Sequence, residues 1–338
     1  MFYRIKQFYL NVIHQLLGDW GYFLYDERNH EKKILQAYYK SITPCSNNKQ
    51  LAIFMANGFC NHAGLCDRFK GMTTLYGWCK DRHIDFRIFH KHPFSLDDYI
   101  CPNQYNWQIQ EDAICYSKQY ASVNHCMLNH LTNRLIKNGK IISLEKQWFE
   151  NRISRNKRQY HFYTNIYPEN DIAFGQHFQE LFKPTPRLQN EIDNHLKQIG
   201  GEYISVSFRF MQLLGDFKDC DGDTLDITEQ EKLINKSILI VEQIKQRHPN
   251  IKTVLVTADS QKFLDAVKEI PYTYIVEGKI GHINFENSDE VNMKTFLDFF
   301  MIAHAKKVYL AKSGKMYNSD FARRASMVYN REFEVVDY

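Results

Sequence analysis

The sequence predicts an α/β protein of two domains, each built on a parallel sheet. Three observations predict this. Between residues 202 and 326, strand-like apolar runs and helix-like amphipathic runs alternate four times. A shorter strand–loop–helix–strand unit stands ahead of them at 51–90. The chain has 338 residues, long for one core and comfortable for two.

The opening MFYRIKQFYLNVIHQLLGDW is apolar but interrupted by Arg4, Lys6 and His14, and it has no small-residue cleavage site. It predicts an amphipathic helix packed on the body of the protein, with peripheral membrane contact as the alternative. No stretch resembles a transmembrane span. LAIFMANGF (51–59) reads as a buried strand that ends at Asn57-Gly58. HAGLCDRFKGMTTLYGWCKDR follows as a helix, with Leu65, Phe69, Met72, Leu75 and Tyr76 roughly on one face, and DFRIFH (85–90) as the next strand. Residues 95–170 carry helical patches around 111–138 and a basic run, ENRISRNKRQYHF, that reads as a solvated face.

The pattern sharpens after Pro184 and Pro186. RLQNEIDNHLKQIGG is a helix with apolar residues at 188, 192, 196 and 199, closed by Gly200-Gly201. A strand at 202–210 follows, then a helix at 229–247 with Thr228 and Glu231 as its capping box. TVLVTAD (253–259) is a strand and SQKFLDAVKEI a helix; YTYIVEG is a strand and EVNMKTFLDFFMIAHA a helix. KVYLA (307–311) is the last strand of the series, and SGKMYNSDFARRAS a helix that opens on Ser313-Gly314. Such a doubly wound sheet binds ligands at the carboxyl ends of its strands. The domains divide as 1–195 and 196–338.

Composition narrows the function. Hydrophobic residues make up 44% and charged residues 24%, so the chain is globular rather than disordered. A formal charge of +4 is too slight to argue for nucleic acid as a partner. The eight cysteines form no CxxC pair, which fits reduced thiols in a cytoplasmic protein. Cys60, His62 and Cys66 have zinc-like spacing but no evident fourth ligand nearby, and no metal site is expected.

Three features fall at carboxyl ends of strands or on the helices after them. Arg209 ends SVSFRF with few charged neighbours, where an arginine usually holds an anion. Ser313, Gly314 and Lys315 lie at a strand-to-helix junction, where backbone N–H groups and the helix dipole favour phosphate; Ser-Gly is equally an ordinary helix cap. Asp298 is a carboxylate among Phe296, Leu297, Phe299 and Phe300, costly to bury without hydrogen bonds. Guanine offers two adjacent N–H donors to such a group; the alternative is a solvated pair with Lys294. Together they describe a site for a guanine nucleoside diphosphate. Asp216 is the candidate to accept a proton, or else a turn residue after Gly215. Arg209 in turn has Asp259 as an alternative, purely structural partner.

At this point the residues resemble a family. The order VSFRF…GDF, VLVTADS, LDFFMIAHAKKVYLAKSG is similar to the donor domain of GDP-fucose-dependent fucosyltransferases, of the α1,6, nodulation-factor and protein O-fucosyltransferase types. GLCDRFKGM (64–72) is similar to the glycine-led loop of their acceptor-side domain. The resemblance covers residues 50–80 and 200–330. It implies a GT-B-like fold of two Rossmann-like domains facing a cleft, with 1–195 on the acceptor side and 196–338 binding the donor. It also implies an inverting transfer of fucose from GDP-fucose to a glycan hydroxyl, with no metal or other cofactor. Arg209 would hold the diphosphate, Asp298 the guanine and Ser313 the diphosphate loop, with Asp259, Gly314 and Lys315 beside them. Ser207 stands where the family often has a histidine. DCDGD (219–223) brings to mind the cation-binding Asp-x-Asp of another glycosyltransferase class, but it lies in a polar loop and reads as solvated. Another nucleotide-sugar donor, or a binding protein without turnover, are the alternatives.

Overall fold

The computed structural model describes residues 2–39, 49–127, 138–167, 170–217, 223–284 and 286–338. They form two compact units. The first comprises 1–63, 67–95 and 102–173; the second comprises 64–66, 96–101 and 174–338, so it holds the whole helix at 186–199.

The first unit opens on helix α1, Phe2–Tyr38, which is broken at Gly18 (φ 67°, ψ −179°). Its parallel sheet has the order β2-β1-β5-β4, with β1 Leu51–Ala56, β2 Asp85–His90, β4 Ala121–Cys126 and β5 Gln159–Thr164. Helices α2, Leu65–Asp81, and α3, Asn138–Ile153, belong to the connections. β4 corrects the expectation of helix around 111–138, and β5 begins inside the run read as a solvated face. Both strands are buried on both faces and still carry Ser122, Asn124, His125, Gln159 and His161. Hydrogen bonds make that burial tolerable. Gln159 accepts from the Cys115 N–H at 2.8 Å and donates to the Ala113 carbonyl at 2.8 Å. Each strand alternates polar and apolar residues over only four positions (Ala121–Asn124 and Gln159–Phe162), and with its polar face buried neither stands out as an apolar run.

β3 (Ile100–Pro102), whose first two residues belong to the second unit, and β6 (Phe182–Pro184) form a two-stranded ribbon. Helix α4, Asp171–Leu181, leads into β6, and α5, Pro186–Ile199, follows it, capped by Thr185 and closed at Gly200. The main sheet has the order β11-β10-β7-β8-β9, all parallel. Its strands are β7 Tyr203–Phe208, β8 Thr253–Ala258, β9 Thr273–Tyr274, β10 Lys307–Lys312 and β11 Glu332–Asp337. β11 has no counterpart in the expected elements, because EFEVVD is a half-exposed edge strand. The chain winds outward from β7 through β8 to β9, then returns to β10 on the other side of β7. The junction of β7 and β10 is therefore the topological switch point, where open α/β sheets bind their ligands.

Two helix starts differ from expectation. Helix α6, Ile227–Gln246, is capped by Asp226, whose carboxylate accepts from the Glu229 N–H at 2.9 Å; Thr228 lies inside the first turn. The last helix begins at Asp320, not at Ser313-Gly314, and Ser319 caps it. The intervening helices are α7, Gln261–Lys268, and α8, Asp289–His304, and the last, α9, spans Asp320–Val328.

Candidate functional site

Arg209 is the first residue beyond β7, at the switch point. Its Nη1 lies 3.1 Å from Asp259 Oδ2, and its guanidinium lies over the Phe217 ring, 4.7 Å from the centroid. Asp259, just beyond β8, also accepts the N–H groups of Phe210 and Met211, each at 2.8 Å. Burial pushes this carboxyl up from its usual value, with Arg209 and the two N–H donors pulling the other way. Asp259 therefore fixes both the arginine and the backbone that follows it, while Arg209 keeps 22% of its side chain exposed. Ser207, one register below, is buried and shares a 2.7 Å hydrogen bond with Thr257.

The segment after β10 completes this edge. Ser313–Met316 is a tight turn closed by the Met316 N–H on the Ser313 carbonyl at 2.9 Å. Gly314 has φ +52°, a left-handed conformation that glycine adopts without strain, and a Cβ there would meet nothing within 4 Å. The Tyr317 N–H donates to the Arg209 carbonyl at 3.1 Å, tying the turn to the end of β7. Lys236 donates to Ser313 Oγ at 3.3 Å, and Lys315 lies 3.5 Å from the exposed Asp223. The structure thus joins Arg209, Asp259, Ser313, Gly314 and Lys315 on one edge. The expected helix dipole is not at this turn, because the helix starts further along.

Asp298 stands apart. α8 runs antiparallel to β10, and Asp298 lies about 14 Å along it from the N-terminal end. Its neighbours are Lys294 one turn earlier and His195 of α5. Lys294 donates to Oδ2, whereas Oδ1 is buried with no hydrogen-bond partner. Burial pushes this carboxyl up, and Lys294 opposes the shift. The pair with Lys294 was an expected alternative, but it is largely buried rather than solvated.

Asp216 is engaged in structure. Its Oδ2 accepts from Ser260 Oγ and from the Lys262 N–H, both at 2.9 Å, at the start of α7. Asp216→Ala should cost about 1 kcal/mol of stability, as loss of a helix-cap contact does. Urea denaturation measures this, and an unchanged midpoint would deny the capping role. Residues 219–222 of the DCDGD stretch lie outside the described residues. Among the described residues no group of three or more His, Cys, Asp or Glu side chains is placed to hold a metal ion.

Sequence reasoning missed a polar cluster in the first unit. Glu27 of α1 is fully buried and meets His125 Nδ1 of β4 at 2.7 Å. Burial pushes the Glu27 carboxyl well up and the His125 imidazole down to about 4. His30 stacks on His125, with ring centroids 5.1 Å apart. A pocket of about 410 Å³ opens here beyond the strand ends, lined by His30, Lys33, Phe59, Asn61, His125 and Asn165 among others. Ninety-eight residues separate Glu27 from His125, and only the fold brings them together. A second cavity, about 260 Å³ and lined in part by Tyr203, Lys306 and Arg331, lies at the opposite, amino-terminal edge of the second sheet.

Comparison with known proteins bears on this arrangement. No protein-family model matches the sequence, and neither does any curated protein. Solved structures do match in three dimensions. NodZ α-1,6-fucosyltransferase crystallised with GDP aligns with a TM-score of 0.56 at 13% identity, over 86% of this chain and 96% of that one. Fucosyltransferase NodZ from Bradyrhizobium gives 0.55 at 12% over the same shares. A mutant of FUT1 from Arabidopsis thaliana in complex with GDP gives 0.50 at 11%, over 97% of this chain and 79% of that one. The fold is that of the GT-B-like fucosyltransferases. At these identities the likeness establishes architecture. In this fucosyltransferase fold the Arg209 edge is the switch point of the second Rossmann-like sheet.

Proposed function

We propose that the protein is a glycosyltransferase that moves fucose from GDP-fucose to a glycan hydroxyl. One observation carries the reading: Arg209, oriented by Asp259, is joined through the Tyr317 N–H to the segment that bears the Ser313–Lys315 turn, at the switch point of a fold whose solved relatives were crystallised with GDP. As the glycosidic bond to fucose breaks with inversion, negative charge grows on the β-phosphate. A guanidinium held beforehand by Asp259 stabilises that charge without reorganising. Lys315 and the backbone of the turn add positive potential at the same edge.

For the acceptor, the pocket of the first unit offers imidazole and amide groups for hydroxyls and the half-open Phe59 ring for an apolar sugar face. Asp216 Oδ2 is engaged at the start of α7, so the exposed carboxylate would accept the hydroxyl proton through Oδ1.

In this reading the chain's own cations neutralise the diphosphate, and GDP binds without a divalent ion. Calorimetry in EDTA should give the same affinity as in magnesium; loss of binding in EDTA would mean that a cation is required. The same titration with UDP tests the choice of donor. Asp298 Oδ2 already accepts from Lys294 and Oδ1 is buried, so Asp298 reaches a guanine only if that pair opens. UDP binding as tightly as GDP would favour a different nucleotide sugar.

A further inference from the structure

The two stretches of α1 have opposite surroundings. Beyond Gly18 the helix buries Tyr22, Phe23, Ile34 and Tyr38 in the first unit. Ahead of it, Leu10 is the one buried side chain among those described. Ile5, Phe8, Tyr9 and Leu16 are each more than half exposed, and Val12 is 36% exposed. At 3.6 residues per turn these five project within an arc of about 100°, the width of stripe that a surface helix normally turns toward a core. Here the stripe faces outward. A helix of this length with so little packed against it is marginal in water and gains from a surface that covers it.

Charge indicates which surface. The segment carries Arg4 and Lys6 and no carboxylate before Asp19. Asp19 is itself compensated, by His14 at 2.7 Å and Lys140 at 2.8 Å. An apolar stripe with basic and no acidic residues matches the interface of an anionic bilayer, with acyl chains beneath it and lipid phosphates around it. The segment is far too polar overall to span a membrane, and no helix among the described residues is long and apolar enough to do so.

We propose that Phe2–Leu17 is an in-plane membrane anchor that seats the protein on an anionic lipid surface through Ile5, Phe8, Tyr9, Val12 and Leu16. Gly18, whose φ of 67° suits glycine, separates this anchor from the packed part of the helix. The proposal is independent of the activity proposed above.

Flotation of the full chain with phosphatidylcholine vesicles, with and without phosphatidylglycerol, tests it. The protein should float with the anionic vesicles, less so as salt is added, and stay behind with the neutral ones. Its helical circular-dichroism signal should rise on binding. Phe8→Ser combined with Leu16→Ser should lower anionic-vesicle binding by roughly tenfold or more, since it removes two large apolar side chains from the contact. Both positions are exposed, so the thermal midpoint of the variant should match the parent. Failure of the parent to float, or flotation of the double variant like the parent, would overturn the anchor. So would a light-scattering mass of twice the chain that the double substitution halves, because a second copy would then cover the stripe.

Discussion

Arg209→Lys is expected to lower kcat by roughly a hundredfold or more, with a smaller change in the KM for GDP-fucose. Lysine keeps the charge and can still pair with Asp259, so the fold is expected to survive. What it lacks is the planar fork that engages two phosphate oxygens at once and lies over the Phe217 ring. The loss falls on kcat because the charge it answers is greatest in the transition state. Thermal denaturation on the same preparation separates this from a structural role. A variant that is less stable but fully active per folded molecule would reduce Arg209 and Asp259 to an ion pair that only joins β7 to β8.

Asp298→Ala is expected to be the most destabilising single change proposed, by about 3–5 kcal/mol in urea unfolding. It strands the ammonium of Lys294, which is 5% exposed, without a counter-charge. The stem of Lys294 is also covered by the Gly278 loop, where a Cβ on residue 278 would approach it to 3.2 Å. Combining Asp298→Leu with Lys294→Met removes both charges and should recover most of the loss. A single-variant cost below about 1 kcal/mol would mean that water reaches the pair, as at surface ion pairs. The GDP affinity of the double variant should match the parent's, because one oxygen of Asp298 is held by Lys294 and the other is buried; weaker GDP binding would mean that the pair opens to the base.

The legibility of the sequence follows from these chemistries. β7, β8 and β10 were evident because buried parallel strands such as TVLVTA are runs of apolar, mostly β-branched residues. β4 and β5 hide because hydrogen bonds replace apolar character at Asn124, Gln159 and His161. The Ser313-Gly314 junction reads as a helix start because serine and glycine favour caps, but Ser319 offers a second cap and the helix uses that one. The first segment of α1 read as a packed helix because its period is right; period does not tell whether a core or solvent lies beneath the apolar face. At Arg209 the structure shows the pair with Asp259 that the sequence offers as the structural alternative, and the anion it would hold belongs to the proposed function. The pairing of Glu27 with His125 depends on the closure of a sheet and had no local signature.

The central claim is that a nucleoside diphosphate binds at the switch point of the second sheet. A crystal structure of the protein with GDP tests it most directly. The account predicts diphosphate oxygens within hydrogen-bond distance of the Arg209 guanidinium and of the backbone N–H groups at Gly314 and Lys315, with the Arg209–Asp259 pair retained. GDP bound elsewhere, with the Arg209 edge left to solvent, would contradict it.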